Sequence, residues 1–298
     1  MEFRKYIHAV GTGPKGNRNL SFEESEDMMK QILDQSVYQE QIAAFLLGWR
    51  LKPETIEEFR GALSMCDNYV THSPVADSIE MGYPFDGKAK NPYIFPLVAQ
   101  VLEKHGLNMV LVGDDLTPAK GGVTMKQICT NIELSSSVHY FDRKKHFKAM
   151  HKLTQVRMRV GLRSGFNTIE KLPRIGKSDY AITGVFHKPY VKKYVEIFAD
   201  RYKRFALIQG NEGTPELFSK GRLWIANEGE IEESIIDPEY YGVHYNKSWD
   251  ALTLEDSLKK LADPSAEYLK LAKLNAAVYL FVTDKAPSVD VAFEMVNG

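Results

Sequence analysis

The sequence predicts an α/β protein in which a small helical N-terminal unit joins a larger α/β unit with a central parallel sheet. Three observations carry this. About 70 residues at the start hold three helical stretches with short connections, which is how a small helical unit is built. A strand–helix–strand succession follows from Ser78 to Val112, and alternation of that kind signals parallel pairing. The composition, 44% hydrophobic and 26% charged over 298 residues, is that of a globular chain able to bury a large core.

In chain order, a first amphipathic stretch leads into the polar loop Gly11 to Asn19. Ser21 and Glu24 form an S-x-x-E capping box that opens a helix through about Gln35. Ser36 is the expected cap of a second helix, which carries Ile42, Ala43, Phe45 and Leu46 to Lys52. Pro53 and Glu54 open a third, reaching about Tyr69. Closely spaced Pro74, Gly82, Pro84, Gly87 and Pro92 then mark a short strand, Ser78 to Met81, and a loop. A helix from Ile94 to Lys104 ends at His105-Gly106, and Met109 to Val112 reads as a buried strand. Tyr180 to Phe186 and Phe205 to Gln209 are further strands, with a helix from Tyr190 to Tyr202 between them. Leu223 to Ala226 and Glu230 to Ile236 form a later strand pair, and Leu252 to Met295 is helical, broken at Pro264 and at Ala286-Pro287. The units are expected at 1–70, completed by helices from about 143–175, and at 71–298.

No apolar run approaches the ~18–20 residues that span a bilayer. The opening MEFRKYIHAV has no apolar signal core, so the cytoplasm is the expected compartment and no membrane partner is expected. Cys66 and Cys129 are neither a disulfide framework nor a zinc pattern, and both read as small buried residues. His139, His146 and His151 lack a carboxylate or cysteine partner at ligand spacing, so no metal is expected on them. No Gly-x-Ser-x-Gly elbow or Cys/His pairing points to nucleophilic catalysis. Net charge is −1, but its distribution is uneven. Phe141 to Phe205 hold 17 Lys or Arg against 5 Asp or Glu, a local balance of +12 that the remainder offsets with −13. Such asymmetry bears on what a surface attracts, although charge runs are often only solvated faces.

Several of these segments, taken in order, resemble anthranilate phosphoribosyltransferase. They are the three opening helices with Gln41-Ile42-Ala43-Ala44-Phe45-Leu46, and the run Arg157, Gly161, Arg163, Phe166 and Asn167, spaced as Arg-x-x-x-Gly-x-Arg-x-x-Phe-Asn. The ending, Leu274-Asn275-Ala276-Ala277 through Ala292 to Gly298, belongs with them. The resemblance implies the phosphoribosyltransferase fold of the nucleoside phosphorylase type, a ligand cleft between the two units, and a homodimer formed through the helical one.

The motifs that carry chemistry in that family are altered. Its GTGGDG loop wraps a pyrophosphate with backbone N–H groups, which needs glycine for close approach. Here the stretch is Gly82-Tyr83-Pro84-Phe85-Asp86-Gly87, where Pro84 removes a donor, and Pro92, Tyr93, Ile94 and Phe95 replace the hydroxyl residues that should follow. A Lys-His-Gly-Asn-Arg motif becomes Leu111-Val112-Gly113-Asp114-Asp115, and two carboxylates repel a pyrophosphate. The Asp-Glu pair that holds magnesium becomes Pro215-Glu216. Gly11-Thr12-Gly13 spells part of a phosphate loop but precedes a capped helix and reads as a connector.

The chain also resembles a branch of this family that lacks the enzyme's motifs and binds DNA. The matching residues are Arg157-x-Arg159-x-Gly161-x-Arg163, Thr168, Lys171-Leu172, the basic loop Asp86-Gly87-Lys88-Ala89-Lys90, and the opening loop Gly11 to Leu20. Guanidinium forks suit phosphate oxygens, and cations interleaved with rings suit a single strand. The expectation is therefore single-stranded DNA or RNA binding, with little sequence preference and no cofactor. Lys88, Lys90, Arg157, Arg159, Arg163 and Lys171 would lie along the strand, and Arg143, Lys144, Lys145, Lys148 and Lys152 would extend the track. Tyr83, Phe85 and Tyr93 would offer stacking faces, with burial in the core as the alternative. The other functional reading is a divergent phosphoribosyltransferase that uses Asp86, Glu216 and magnesium on an unknown acceptor.

Overall fold

The computed structural model describes residues 2–227 and 229–298. Helices α1 (Arg4–Gly11), α2 (Phe22–Leu33), α3 (Gln39–Leu51) and α4 (Ile56–Asp67) form the helical unit. The Ser21/Glu24 capping box opens α2 as the sequence predicts, with Ser21 Oγ accepting from Glu24 N at 3.2 Å. The next two boundaries differ. Ser36 donates its hydroxyl to Gln31 O and closes α2, while Tyr38 is the N-cap of α3. Thr55, not Pro53, caps α4 through a box with Glu58.

The α/β part begins with β1 (Ser78–Gly82), α5 (Phe95–Glu103), β2 (Asn108–Gly113), α6 (Met125–Asn131) and β3 (Val138–Asp142). Four short helices return the chain to the helical unit: α7 (Arg143–His146), α8 (Lys148–His151), α9 (Thr154–Val160) and α10 (Phe166–Ile169). The path then runs through β4 (Tyr180–Gly184), α11 (Pro189–Phe198), β5 (Arg204–Ile208), β6 (Gly221–Asn227) and β7 (Glu230–Ile236). It ends on α12 (Leu254–Ala262), α13 (Ala266–Val282) and α14 (Val289–Met295).

The sheet order is β3-β2-β1-β4-β5-β6-β7, parallel from β3 to β5 and antiparallel from β5 to β7. Strand β3, absent from the sequence prediction, pairs with β2 from Met109↔Val138 onward. Side-chain alternation splits the core between the two faces of the sheet. Ile79, Met81, Ile182, Ala206 and Ile208 face α5 and α13, whereas Ala181, Phe205 and Leu207 face the helical unit and α11. The helical unit shares this second core with Phe147, Met150, Val156 and Phe166, so residues 147–166 pack with the N-terminal helices. Among the described residues, no helix is long and apolar enough to cross a membrane.

Glu80 is the charged exception on β1. It is fully buried, accepts from Tyr202 Oη at 2.6 Å and from Arg174 N at 2.8 Å, and burial pushes its carboxyl up to about 7. A folded value above the unfolded ~4.3 means the stabilising contribution is complete below that value and lost as pH rises through about 7. Glu80→Gln reproduces the neutral acid, its carbonyl accepting from Arg174 N and its amide donating to Tyr202 Oη. Thermal melts should show wild type and variant alike near about pH 4 and the variant more stable near about pH 8. A difference that does not change with pH would show that Glu80 titrates as an ordinary carboxylate.

Candidate functional site

The C-terminal ends of β1, β4 and β5 open towards the helical unit, where parallel sheets place their ligands. A cleft of about 540 Å³ lies there. Arg50, Arg163, Asn167 and Lys171 line it from the helical side, and Asp86 and Glu212 from the sheet side.

The loop after β1 is closed by the chain itself. Gly87 is left-handed at φ +75, and a Cβ there would come within 2.6 Å of Gly122 and Val123 backbone atoms. That close approach lets Lys88 and Val123 exchange backbone hydrogen bonds at 2.9 and 2.8 Å. The next three amides converge on one carboxylate. Ala89 N donates to Glu212 Oε2 at 2.7 Å, and Lys90 N and Asn91 N donate to Glu212 Oε1 at 3.2 and 3.1 Å. At the start of α5, Ile94 N and Phe95 N donate to Glu216 Oε1 at 2.9 and 3.0 Å, joined by Tyr83 Oη at 3.0 Å. Lys88 Nζ reaches Glu216 Oε2 at 2.7 Å, with both side chains fully buried. Backbone donors that could cradle an anion are thus already saturated by Glu212 and Glu216.

This arrangement bears on the Glu216 half of the magnesium alternative. A hard cation needs free carboxylate oxygens. Glu216 accepts four donors, one of them an ammonium, and is sealed from solvent, so it does not fit a magnesium ligand. Asp86 is also buried; its Oδ2 accepts from Arg163 Nε at 3.1 Å and from Nη2, and its Oδ1 has no hydrogen-bond partner among the described residues.

Several residues expected along a strand are internal. Lys88 is consumed by Glu216. Arg143 is fully buried, paired through Nε with Asp114 and through Nη1 with Glu170, and donates from Nη2 to Thr154 Oγ1 at 3.2 Å. Arg157, 2% exposed, grips both oxygens of Glu170, Nη2 to Oε1 at 2.8 Å. Burial alone would raise the Glu170 carboxyl, but Arg157 and Arg143 outweigh it and hold it below its usual range. The stacking faces are internal too. Tyr83, Phe85 and Tyr93 are 2%, 6% and 0% exposed. Tyr83, Tyr93 and Phe95 pack ring on ring, and Phe85 carries the Arg143 guanidinium 4.4 Å from its centroid. Their positions beside the β1 loop, in the core, leave no face for a base.

The other predicted cations divide into two sets. In the cleft, Arg163 remains accessible beside Asp86 because α9 stops at left-handed Gly161 (φ +69), which turns the chain after Arg157. Lys171 is nine-tenths buried, lines the cleft, and among the described residues forms no ion pair; its ammonium lies 5.2 Å from the Tyr194 ring centroid. Burial would raise the Tyr194 phenol, but Lys171, with Thr168 and Arg163, outweighs it and the value is lowered. Outside the cleft, Lys144, Lys145, Lys148, Lys152 and Arg159 are exposed, and none pairs with a carboxylate among the described residues; Arg159 donates only to Gln39 Oε1 at 3.1 Å. Lys90 is exposed and also unpaired among the described residues.

The sequence reading missed Glu212, whose role depends on a backbone 121–123 positions earlier. It missed Phe186 and Tyr190, about half exposed on the cleft wall. His151 also has a carboxylate partner after all, Asp114 Oδ1 at 2.7 Å, brought from 37 residues away. Asp114, Asp115 and His151 present donor atoms within 4.8 Å of one another, but Arg143 already neutralises Asp114. Gly11-Thr12-Gly13 ends α1 and turns at Gly13, a connector as expected.

Against known proteins, residues 4–67 match the glycosyl transferase family, helical bundle domain. An uncharacterised protein of Aquifex aeolicus is 27% identical over 284 residues, covering 92% of this chain and 91% of its own. Anthranilate phosphoribosyltransferase of Neisseria meningitidis is 25% identical over 264 residues, covering 82% and 75%. Among solved structures, anthranilate phosphoribosyltransferase from Thermus thermophilus superposes with a TM-score of 0.74 at 18% identity, covering 99% of this chain and 92% of that one. The Saccharomyces cerevisiae enzyme in complex with PRPP and Mg gives 0.76 at 14%, with the same coverage. The chain is thus anthranilate phosphoribosyltransferase-like, with the glycosyl transferase helical bundle domain at its N-terminus and the fold of those enzymes throughout.

Proposed function

We propose that this protein binds single-stranded nucleic acid and has lost the transferase chemistry of its relatives. The observation that carries the reading is the set of exposed cations Lys144, Lys145, Lys148, Lys152 and Arg159 between α7 and α9, none with a carboxylate partner among the described residues. Cations without carboxylate partners leave their full charge available to a phosphate backbone. Loss of transfer chemistry is supported by Glu212 and Glu216, which occupy the amide donors that a pyrophosphate would need. Bases cannot reach Tyr83, Phe85 or Tyr93, so affinity along this track is electrostatic and insensitive to sequence.

The test is fluorescence anisotropy of single-stranded DNA and RNA across a salt series. Replacing Lys144, Lys145, Lys148 and Lys152 by Ala should weaken binding. It should also flatten the log–log salt slope by about 0.7 for each of these lysines that meets a phosphate, roughly 3 in all if every one does. No binding, or binding indifferent to salt, would overturn the reading.

A second reading, transfer of a phosphoribosyl group to an unknown acceptor, is favoured by the open cleft that keeps Arg163 and Asn167. It requires magnesium-dependent consumption of phosphoribosyl pyrophosphate. Inactivity across a panel of aromatic and heterocyclic acceptors would remove it.

A further inference from the structure

Trp249 is 74% exposed, while the other two tryptophans, Trp49 and Trp224, are 0% and 3% exposed. A single exposed apolar side chain is ordinary on a protein surface. This one is held in an unusual frame. Lys90 Nζ lies 5.1 Å and Lys247 Nζ 5.9 Å from its ring centroid. The backbone on either side is fixed to the loop after β1. Ser248 N donates to Asn91 Oδ1 at 2.9 Å, Asn91 Nδ2 donates to Ser248 O at 3.2 Å, and Leu252 N donates to Ala89 O at 2.8 Å. Thr253 then caps α12 with Asp256, whose Oδ2 accepts from Thr253 Oγ1 at 2.6 Å. The indole is therefore presented on pinned backbone with an ammonium group near it from each of two segments.

We propose that Trp249, with Lys90 and Lys247, is a stacking platform for one base of a single strand; this rests on the nucleic-acid reading above. An indole face takes any base, which suits binding without sequence preference, and a lysine within about 6 Å of the ring is placed to meet the flanking phosphates. Tyr83, Phe85 and Tyr93, sealed in the core, cannot serve this purpose, whereas Trp249 is exposed beside that basic loop, within 5.1 Å of Lys90 Nζ.

The experiment follows an unlabelled thymidine 12-mer by tryptophan emission and a labelled copy by anisotropy, on the full chain. Trp49 and Trp224 are sealed, their Nε1 atoms donating to Glu58 and Glu233, so a change in the solvent-exposed emission reports Trp249. The strand should raise anisotropy and quench that emission. Trp249→Leu should weaken binding roughly tenfold and Trp249→Phe should restore most of it. Because the side chain is exposed, each variant should keep the wild-type melt, which is checked first. A rise in anisotropy with unchanged emission, or a Leu variant that binds as tightly as wild type, would overturn the platform and leave the nucleic-acid reading standing. No anisotropy change with the wild type would remove both.

Discussion

Replacing Glu170 by Gln is expected to destabilise the fold by about 3–5 kcal/mol at neutral pH, the cost of removing one partner from a buried charge cluster. Glu170 is 1% exposed and is the shared acceptor of Arg143 and Arg157, themselves 0% and 2% exposed. Without it Arg157 has no carboxylate partner among the described residues, and Arg143 keeps only Asp114. The amide keeps the volume, so the loss measures charge and hydrogen bonding, not a cavity. For a chain of this size the melt should fall on the order of 10 °C. The sign of the pH dependence is fixed by the lowered Glu170 value. Its contribution is present above the unfolded ~4.3 and is lost as pH falls through the lower folded value, so the two melts converge in acid. A double replacement, Arg157→Met with Glu170→Met, should recover part of the loss, because it removes the desolvated charges together. Equal melts for wild type and Glu170→Gln at neutral pH would show that the cluster is not what joins α7–α10 to the end of β2.

The same cluster explains how far sequence reaches. Features set within a few residues were legible: the Ser21/Glu24 cap, the apolar strands Ser78 to Met81 and Met109 to Val112, and the breaks at Pro264 and Ala286-Pro287. Strand β3 was not, because Val138–Asp142 is a half-exposed edge without a continuous apolar run and abuts the basic stretch that follows. The fate of a cation was not legible either. Arg157, Arg159 and Arg163 are chemically identical and two to six residues apart, yet one is sealed against Glu170, one is solvated, and one reaches the cleft past Gly161. Lys88 and Lys90 diverge in the same way, because Glu216, 128 residues beyond Lys88, meets only the inward-pointing one. Burial alternates with local geometry, but its charge partners come from distant segments that sequence spacing cannot supply.

Glu216→Ala is expected to be comparably costly, again about 3–5 kcal/mol, for a different reason. The carboxylate neutralises Lys88 and satisfies Ile94 N, Phe95 N and Tyr83 Oη at once. Its removal leaves an ammonium buried without a partner and two amide donors with nothing to accept them, each at full desolvation cost. The position it vacates is an anion site by construction: the first amides of α5, an ammonium and a phenol facing one point. Formate carries the missing carboxylate in a molecule small enough for the vacated volume. Added formate should therefore raise the melt of Glu216→Ala in a saturable way and leave wild type unmoved, since a ligand that binds only the folded state stabilises it by mass action. Magnesium chloride should shift neither protein, because in wild type every Glu216 oxygen already accepts from a donor and in the variant the ligand is gone. Stabilisation of wild type by magnesium that the Glu216→Ala variant loses would show that Glu216 can leave its four donors, and the transferase reading would then regain its metal. Rescue by formate without any response to magnesium would leave Glu216 as what its contacts make it, an internal anion held by four donors.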